Sequence, residues 1–141
     1  MTIFELHKKL KEKGIPDNRY FLHGLYGSTD ENDKISLTIM KGNYNIVYEI
    51  YYKEKGEKHS SVIFNSEEDA CDYIYQKLID SWTFEQIGNI EGLNGMTVNE
   101  RLFSSGLMDE FDKCLKQNKP RAKQILRWLR VDEPSIDKIV K

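Results

Sequence analysis

Apolar and polar positions first follow a helical period. Ile3, Leu6 and Leu10 recur on one face, Thr2 and Glu5 form a T-x-x-E capping box ahead of them, and Gly14, Ile15 and Pro16 supply a left-handed stop and a breaker. The period then drops to two. The run RYFLHGLY (19–26) is aromatic and apolar enough for a strand, and GSTDEND (27–33) is a loop. Ile35, Leu37 and Ile39 alternate with Ser36, Thr38 and Met40. Gly42-Asn43 offers a tight turn, and Ile46, Tyr48, Ile50 and Tyr52 alternate on the return, which predicts a hairpin. KEKGEK (53–58) is a second polar turn and SSVIF (60–64) a further strand. Consecutive strands joined by short turns usually pair, so the pattern predicts four antiparallel strands in a meander.

Ser66 caps a second helix whose first turn, Glu67, Glu68 and Asp69, suits the positive end of the helix dipole. Its apolar stripe is Cys71, Ile74, Tyr75 and Leu78, which should lie across the sheet. Residues 1–82 therefore predict an α-β-β-β-β-α sheet domain. The segment TFEQIGNIEGLNGM (83–96) holds three glycines and no clean period, and is expected to be a connector. Residues 97–141 read as wholly helical. A second T-x-x-E box at Thr97 and Glu100 introduces Val98, Leu102 and Phe103. Leu107, Met108, Phe111 and Leu115 mark the next helix, Ala122, Ile125, Leu126 and Leu129 another after Pro120, and Ile136, Ile139 and Val140 a last short one. Helices this short need partners to be stable in water, so they form a subdomain. The expected fold class is α+β: an N-terminal helix, a four-stranded antiparallel sheet and a packing helix, followed by a C-terminal helical subdomain.

Composition narrows the functional classes. The chain has 141 residues, 21 Lys+Arg against 23 Asp+Glu and a formal net charge of −2, without the basic excess of phosphate-tracking proteins. No apolar run approaches the roughly 20 residues that cross a bilayer, and MTIFELHKKLKEKG is charged and amphipathic, unlike a signal peptide. A cytoplasmic location with no membrane partner is expected. Cys71 and Cys114 are too few for a disulfide framework and neither belongs to a CxxC pair, so reduced thiols are expected.

The residues that could carry chemistry are sparse. His7, His23 and His59 have no carboxylate or cysteine at ligand spacing, so no metal or other cofactor is expected. Cys71 adjoins Asp72 and follows an acidic turn, which opposes thiolate formation, and Cys114 is interleaved with Phe111 and Leu115. Neither a G-x-S-x-G elbow nor a phosphate-cradling glycine loop is present. No catalytic residue is assigned and the chain does not read as an enzyme; a nonstandard site among His23, His59 and the tyrosines is the form an activity would take. In the strand around Tyr48, Tyr44, Tyr48 and Tyr52 share parity with Ile46 and Ile50 toward the helices, while Val47, Glu49 and Tyr51 look outward. The tyrosines fit either cross-strand packing or a binding surface. Two acidic patches, Asp30, Glu31 and Asp33 in the first loop and Glu67, Glu68, Asp69 and Asp72 at the second helix, could steer a cationic partner. Lys119, Arg121, Lys123, Arg127 and Arg130 form the opposite patch, and a nucleic-acid-binding or regulatory module built on that basic helix is the alternative reading.

The aromatic strand NIVYEIYY, the acidic helix opening SEEDACDYI and the helical tail MTVNERLFSSGLMDEFDKCLKQ together resemble the small cytoplasmic immunity proteins encoded beside bacterial polymorphic and contact-dependent growth inhibition toxins. The resemblance spans most of the chain, and the tail's pattern looks like a segment appended to several such families. It specifies helix starts and carries no functional residue. It implies a toxin inhibitor of bacterial competition: tight binding to one cognate toxin domain, often a nuclease, with the toxin's active site blocked, and no direct contact with nucleic acid. The residues expected to meet a basic nuclease are Asp30, Glu31, Asp33, Glu49, Tyr51, Glu67, Glu68 and Asp72.

Overall fold

A computed structural model describes residues 1–141. The first helix, α1 (Ile3–Glu12), begins at the capping box: the Thr2 hydroxyl accepts from the Glu5 N–H and the Glu5 carboxylate from the Thr2 N–H, both at 3.2 Å. Its buried face is Ile3, Leu6 and Leu10. Five strands follow: β1 (Tyr20–Leu22), β2 (Tyr26–Gly27), β3 (Ile35–Lys41), β4 (Ile46–Glu54) and β5 (Glu57–Phe64). They form one open sheet in the order β2-β1-β3-β4-β5.

The expected four-stranded antiparallel meander is corrected to a five-stranded mixed sheet. The run 19–26 is not one strand, because His23 (φ 54°) and Gly24 (φ 73°) take the left-handed conformation and fold it back on itself. Tyr26 and Gly27 then pair antiparallel with Leu22 and Phe21 on the outer edge of β1. The other edge of β1 is left for β3, which runs parallel to it with Tyr20 opposite Ile35 and Leu22 opposite Leu37. His23 extends that ladder past the end of β1: its N–H donates to the Leu37 carbonyl (2.7 Å) and its Nδ1 accepts from the Ile39 N–H (3.0 Å). Gly27 (φ 82°) is demanded by the tight return, since a Cβ there would stand 2.5 Å from the Tyr20 carbonyl oxygen.

The β3–β4 hairpin pairs Lys41 with Ile46 and Ile35 with Tyr52. Lys55 and Gly56 both have positive φ (51° and 80°), the geometry of a two-residue hairpin loop whose twist matches its strands, so β4 and β5 extend further into the polar segment than its composition suggested. The β4–β5 ladder shifts register between Ile50 and Tyr52, facing Ser60 (φ 57°), which marks a bulge. One sheet face supplies Tyr20, Leu22, Leu37 and Ile50 to a core completed by α1 and by Ala70, Cys71, Ile74 and Leu78 of the second helix, α2 (Glu67–Gly88). The Ser66 hydroxyl caps α2 through the Asp69 N–H (3.1 Å). Residues 83–88, expected as connector, are the end of this helix. Nothing in TFEQI breaks a helix, and the first glycine, Gly88, is where it stops.

The chain divides into two compact units, Met1–Trp82 and Thr83–Lys141. The second holds a 3₁₀ turn (Leu93–Gly95) and four short helices, α3 (Val98–Ser105), α4 (Met108–Gln117), α5 (Lys119–Trp128) and α6 (Glu133–Ile139). Its core includes Leu93, Leu102, Phe111, Ile125, Leu126 and Ile136. Thr97, Asn118 and Asp132 cap α3, α5 and α6 with side-chain oxygens. Of the box expected at Thr97 the half accepting from the Glu100 N–H is formed (3.2 Å), and Phe103 points outward, 79% exposed. Arg101 binds this unit together. Its guanidinium donates to the carbonyls of Met96 (3.1 Å), Asn94 (3.1 Å), Leu129 (2.9 Å) and Arg130 (3.0 Å), closing the carbonyl end of α5. No helix is long and apolar enough to cross a membrane.

Candidate functional site

Side chains alternate across a strand, so the sheet face turned away from α1 and α2 carries Ser36, Thr38 and Met40 from β3, Val47, Glu49, Tyr51 and Lys53 from β4, and Ser61 and Ile63 from β5. At one end it is apolar. Met40 lies opposite Val47, and Ile63 lies opposite Glu49; Met40 is 39% and Ile63 52% exposed. Tyr44, in the turn beyond, is fully exposed.

The other end of the face is a polar network centred on Tyr51. Its hydroxyl donates to Glu31 and lies 2.8 Å from the Thr38 hydroxyl. Because the phenol has one proton and gives it to the carboxylate, Thr38 is the donor in the second bond. Lys53 donates to the same Glu31 carboxylate. Lys58 donates to Glu49 (2.7 Å) while its ammonium sits 4.5 Å from the centroid of the Tyr51 ring, and the Ser61 hydroxyl completes Glu49 (2.6 Å). Two carboxylates and two ammonium groups thus pair around Tyr51, one ammonium over its ring and one carboxylate at its hydroxyl.

The electrostatics follow from this geometry. The hydrogen bonds from Lys53 and then Tyr51 hold the Glu31 carboxyl below its ordinary range. Burial pushes the Glu49 carboxyl up, but the bonds from Lys58 and Ser61 and the Lys58 charge outweigh it and leave it lowered. Burial, then the bond to Glu31, pushes the Tyr51 phenol up to about 12. At neutral pH these shifts leave Glu31 and Glu49 ionised and the Tyr51 phenol protonated, so the hydrogen bonds of the network persist.

The expected site residues occupy two different places. Glu31, Glu49 and Tyr51 meet in the network, and Asp30 and Asp33 lie on the loop beside it. Glu49 and Tyr51 are turned away from the helices, but as exposed contact residues they are corrected: the lysine stems, Glu31 and Ser61 cover them, leaving 8% and 2% exposed. Asp30 shapes its own loop, accepting from the Asn32 N–H and from Lys34, both at 3.1 Å. Asp33 holds a left-handed turn (φ 58°) and donates its N–H to the Lys53 carbonyl (2.7 Å). Glu67, Glu68 and Asp72 belong to α2 on the helix side of the sheet, and Glu67 accepts from the Ile3 N–H at the start of α1 (3.2 Å). Tyr44, expected to share the helix-facing parity, stands on the turn instead, because β4 begins only at Ile46. The exposed apolar residues Met40 and Ile63 are not among those expected at the site, while Tyr44 is expected to face the helices or to form a binding surface. The available signal was a tyrosine inside the polar turn GNYN.

The remaining candidates have local partners. His7 Nδ1 lies 2.9 Å from the Tyr20 hydroxyl and its ring stacks on Tyr26 at 4.8 Å. No group of three or more His, Cys, Asp or Glu residues is placed to hold a metal ion. Cys71 is buried, and burial followed by the Glu67 charge pushes its thiol up to about 12. On the basic helix, Arg121 pairs with Glu110 (3.0 Å) and lies over the Trp128 ring, Arg127 pairs with Glu133 (2.7 Å), and Lys123 pairs with Asp137 (3.7 Å). Comparison with protein-family models, curated proteins and solved structures found no significant match to this chain.

Proposed function

We propose that this chain is an immunity protein that binds a cognate toxin domain, a basic nuclease, in the cytoplasm of a toxin-producing bacterium and neutralises it by covering the nuclease active site. The observation that carries the reading is the sheet face away from α1 and α2, where exposed Met40 and Ile63, with half-buried Val47 opposite Met40, adjoin the pre-ordered Tyr51 network. An apolar centre edged by fixed polar groups is how protein interfaces are built, and a network already held in place loses little freedom on binding. At the margin Asp33 favours a cationic partner, while Asp30 is already paired with Lys34 and would have to exchange that partner. The alternative, a nucleic-acid module on α5, is weakened by the carboxylates that already occupy Arg121, Lys123 and Arg127.

Co-expression with the adjacent toxin gene tests the proposal. Wild-type chain is expected to protect the cell, and Met40→Asp together with Ile63→Asp to abolish protection while the purified variant keeps its helix and sheet content. Protection that survives both substitutions refutes the assigned face, and failure of the wild type to protect refutes the function. Turnover of any substrate by the purified chain also counts against it.

A further inference from the structure

A half-open cavity of about 250 Å³ lies between the β4–β5 bulge and α2. Its cause is visible in the sequence. Phe64 and Val62 pair with Tyr48 and Ile50 on the core face of β5, but the register then shifts so that His59 pairs with Tyr52, and the residue left at the cavity between them is not apolar. That residue is Ser60, in the left-handed conformation, opposite the register shift. The walls are then apolar and aromatic, from Ile35, Ile50, Tyr51, Tyr52 and Tyr73, with exposed Lys77 completing the lining.

The polar groups of this cavity are unclaimed. Lys77 forms no ion pair; its ammonium lies 5.4 Å from the centroid of the Tyr73 ring. The hydroxyls of Tyr52, Tyr73 and Ser60 likewise have no hydrogen-bond partner in the protein. Apolar walls with a few convergent polar groups are the usual composition of a small-molecule site, and this volume falls just short of the roughly 300–1,000 Å³ that drug-sized ligands occupy. A single ring or a short branched chain fits. The one charged group is a cation, and the hydroxyls around it can all donate, so the ligand end they favour is a carboxylate.

We infer that this cavity binds a small monocarboxylic acid with a one-ring apolar body, the ring against Tyr52 and Tyr73 and the carboxylate on Lys77. The inference does not rest on the proposed toxin-binding function: the two sites share Tyr51, but the test reads ligand binding and not protection. The test titrates the full chain with 3-phenylpropionate and, separately, with the uncharged 3-phenylpropionamide, following backbone amides by NMR. The acid should saturate shifts at Ile50–Tyr52, Ser60 and Tyr73–Lys77 and bind about tenfold more tightly than the amide. Lys77→Met, a change at an exposed helical position, should bring the acid down to the affinity of the amide with the thermal midpoint unchanged. Absence of saturable shifts up to about 10 mM acid overturns the inference. Equal affinity for acid and amide in the wild type, or an unchanged preference in Lys77→Met, does so as well.

Discussion

Tyr51→Phe isolates the network from the packing around it. The ring stays, so no cavity opens and the Lys58 contact with the ring persists. What is lost is one hydroxyl that serves both Glu31 and Thr38. A hydrogen bond to a charged group contributes about 1.5–3 kcal/mol and a neutral one about 0.5–1.5 kcal/mol. Glu31 is 29% exposed and keeps Lys53, so the charged bond belongs at the lower end. The expected loss is about 2 kcal/mol, read as a fall in the urea midpoint at unchanged slope. The pH dependence is a second signature. Glu31 and Glu49 are lowered in the fold, so the stability they contribute is present above their ordinary value of 4.5 and is lost as pH falls through the lowered values. Tyr51→Phe lets the Glu31 carboxyl rise toward its ordinary value, so the acid-side loss shrinks. At the other extreme, Tyr51 is raised to about 12 from 10.0, so its contribution is intact below pH 10 and disappears as pH rises toward 12. The variant lacks that part of the alkaline slope. A loss below about 0.5 kcal/mol, the scatter of neutral surface changes, with both slopes unchanged, would refute the network as a structural unit.

Other perturbations probe other elements. Arg101→Ala removes four carbonyl contacts and should cost about 3 kcal/mol, seen as faster hydrogen exchange across Thr83–Lys141; Arg101→Lys, which cannot span the same carbonyls with one ammonium, should recover less than half. Gly27→Ala places a Cβ 2.5 Å from the Tyr20 carbonyl oxygen at φ 82° and should cost about 3 kcal/mol in thermal unfolding; a neutral effect would show that β2 does not hold its edge. Asp30→Lys with Asp33→Lys should slow association with the purified toxin domain and weaken its salt dependence, leaving dissociation nearly unchanged in stopped-flow measurements.

Local signals were the readable ones. The cap at Thr2, the alternation of β3 and β4, and the stripe of α2 each depend on neighbours within a few residues, and those elements exist as the periodicity has them, although β4 and α2 run further than expected. The parallel pairing of β1 with β3 depends on two left-handed residues inside an apparently continuous apolar run, and no period reports a reversal of direction. The burial of Glu49 and Tyr51 is set by lysines and a glutamate that arrive from the β4–β5 turn and the first loop. Alternation gives the face of a residue but says nothing about what lies over it. Arg101 was hidden for the same reason: its four carbonyl partners include Leu129 and Arg130, far along the chain.

The left-handed Ser60 also governs how the rim of the sheet meets other chains. β5 ends the strand order and so offers an unpaired row of backbone donors and acceptors, the usual template for aggregation. Its kink splits that row into two short stretches, one of them bearing Lys58 and His59, and neither is long enough to seed a stack of copies. Concentrated protein is therefore expected to resist fibril growth along this border without a covering segment, and a thioflavin time course checks it.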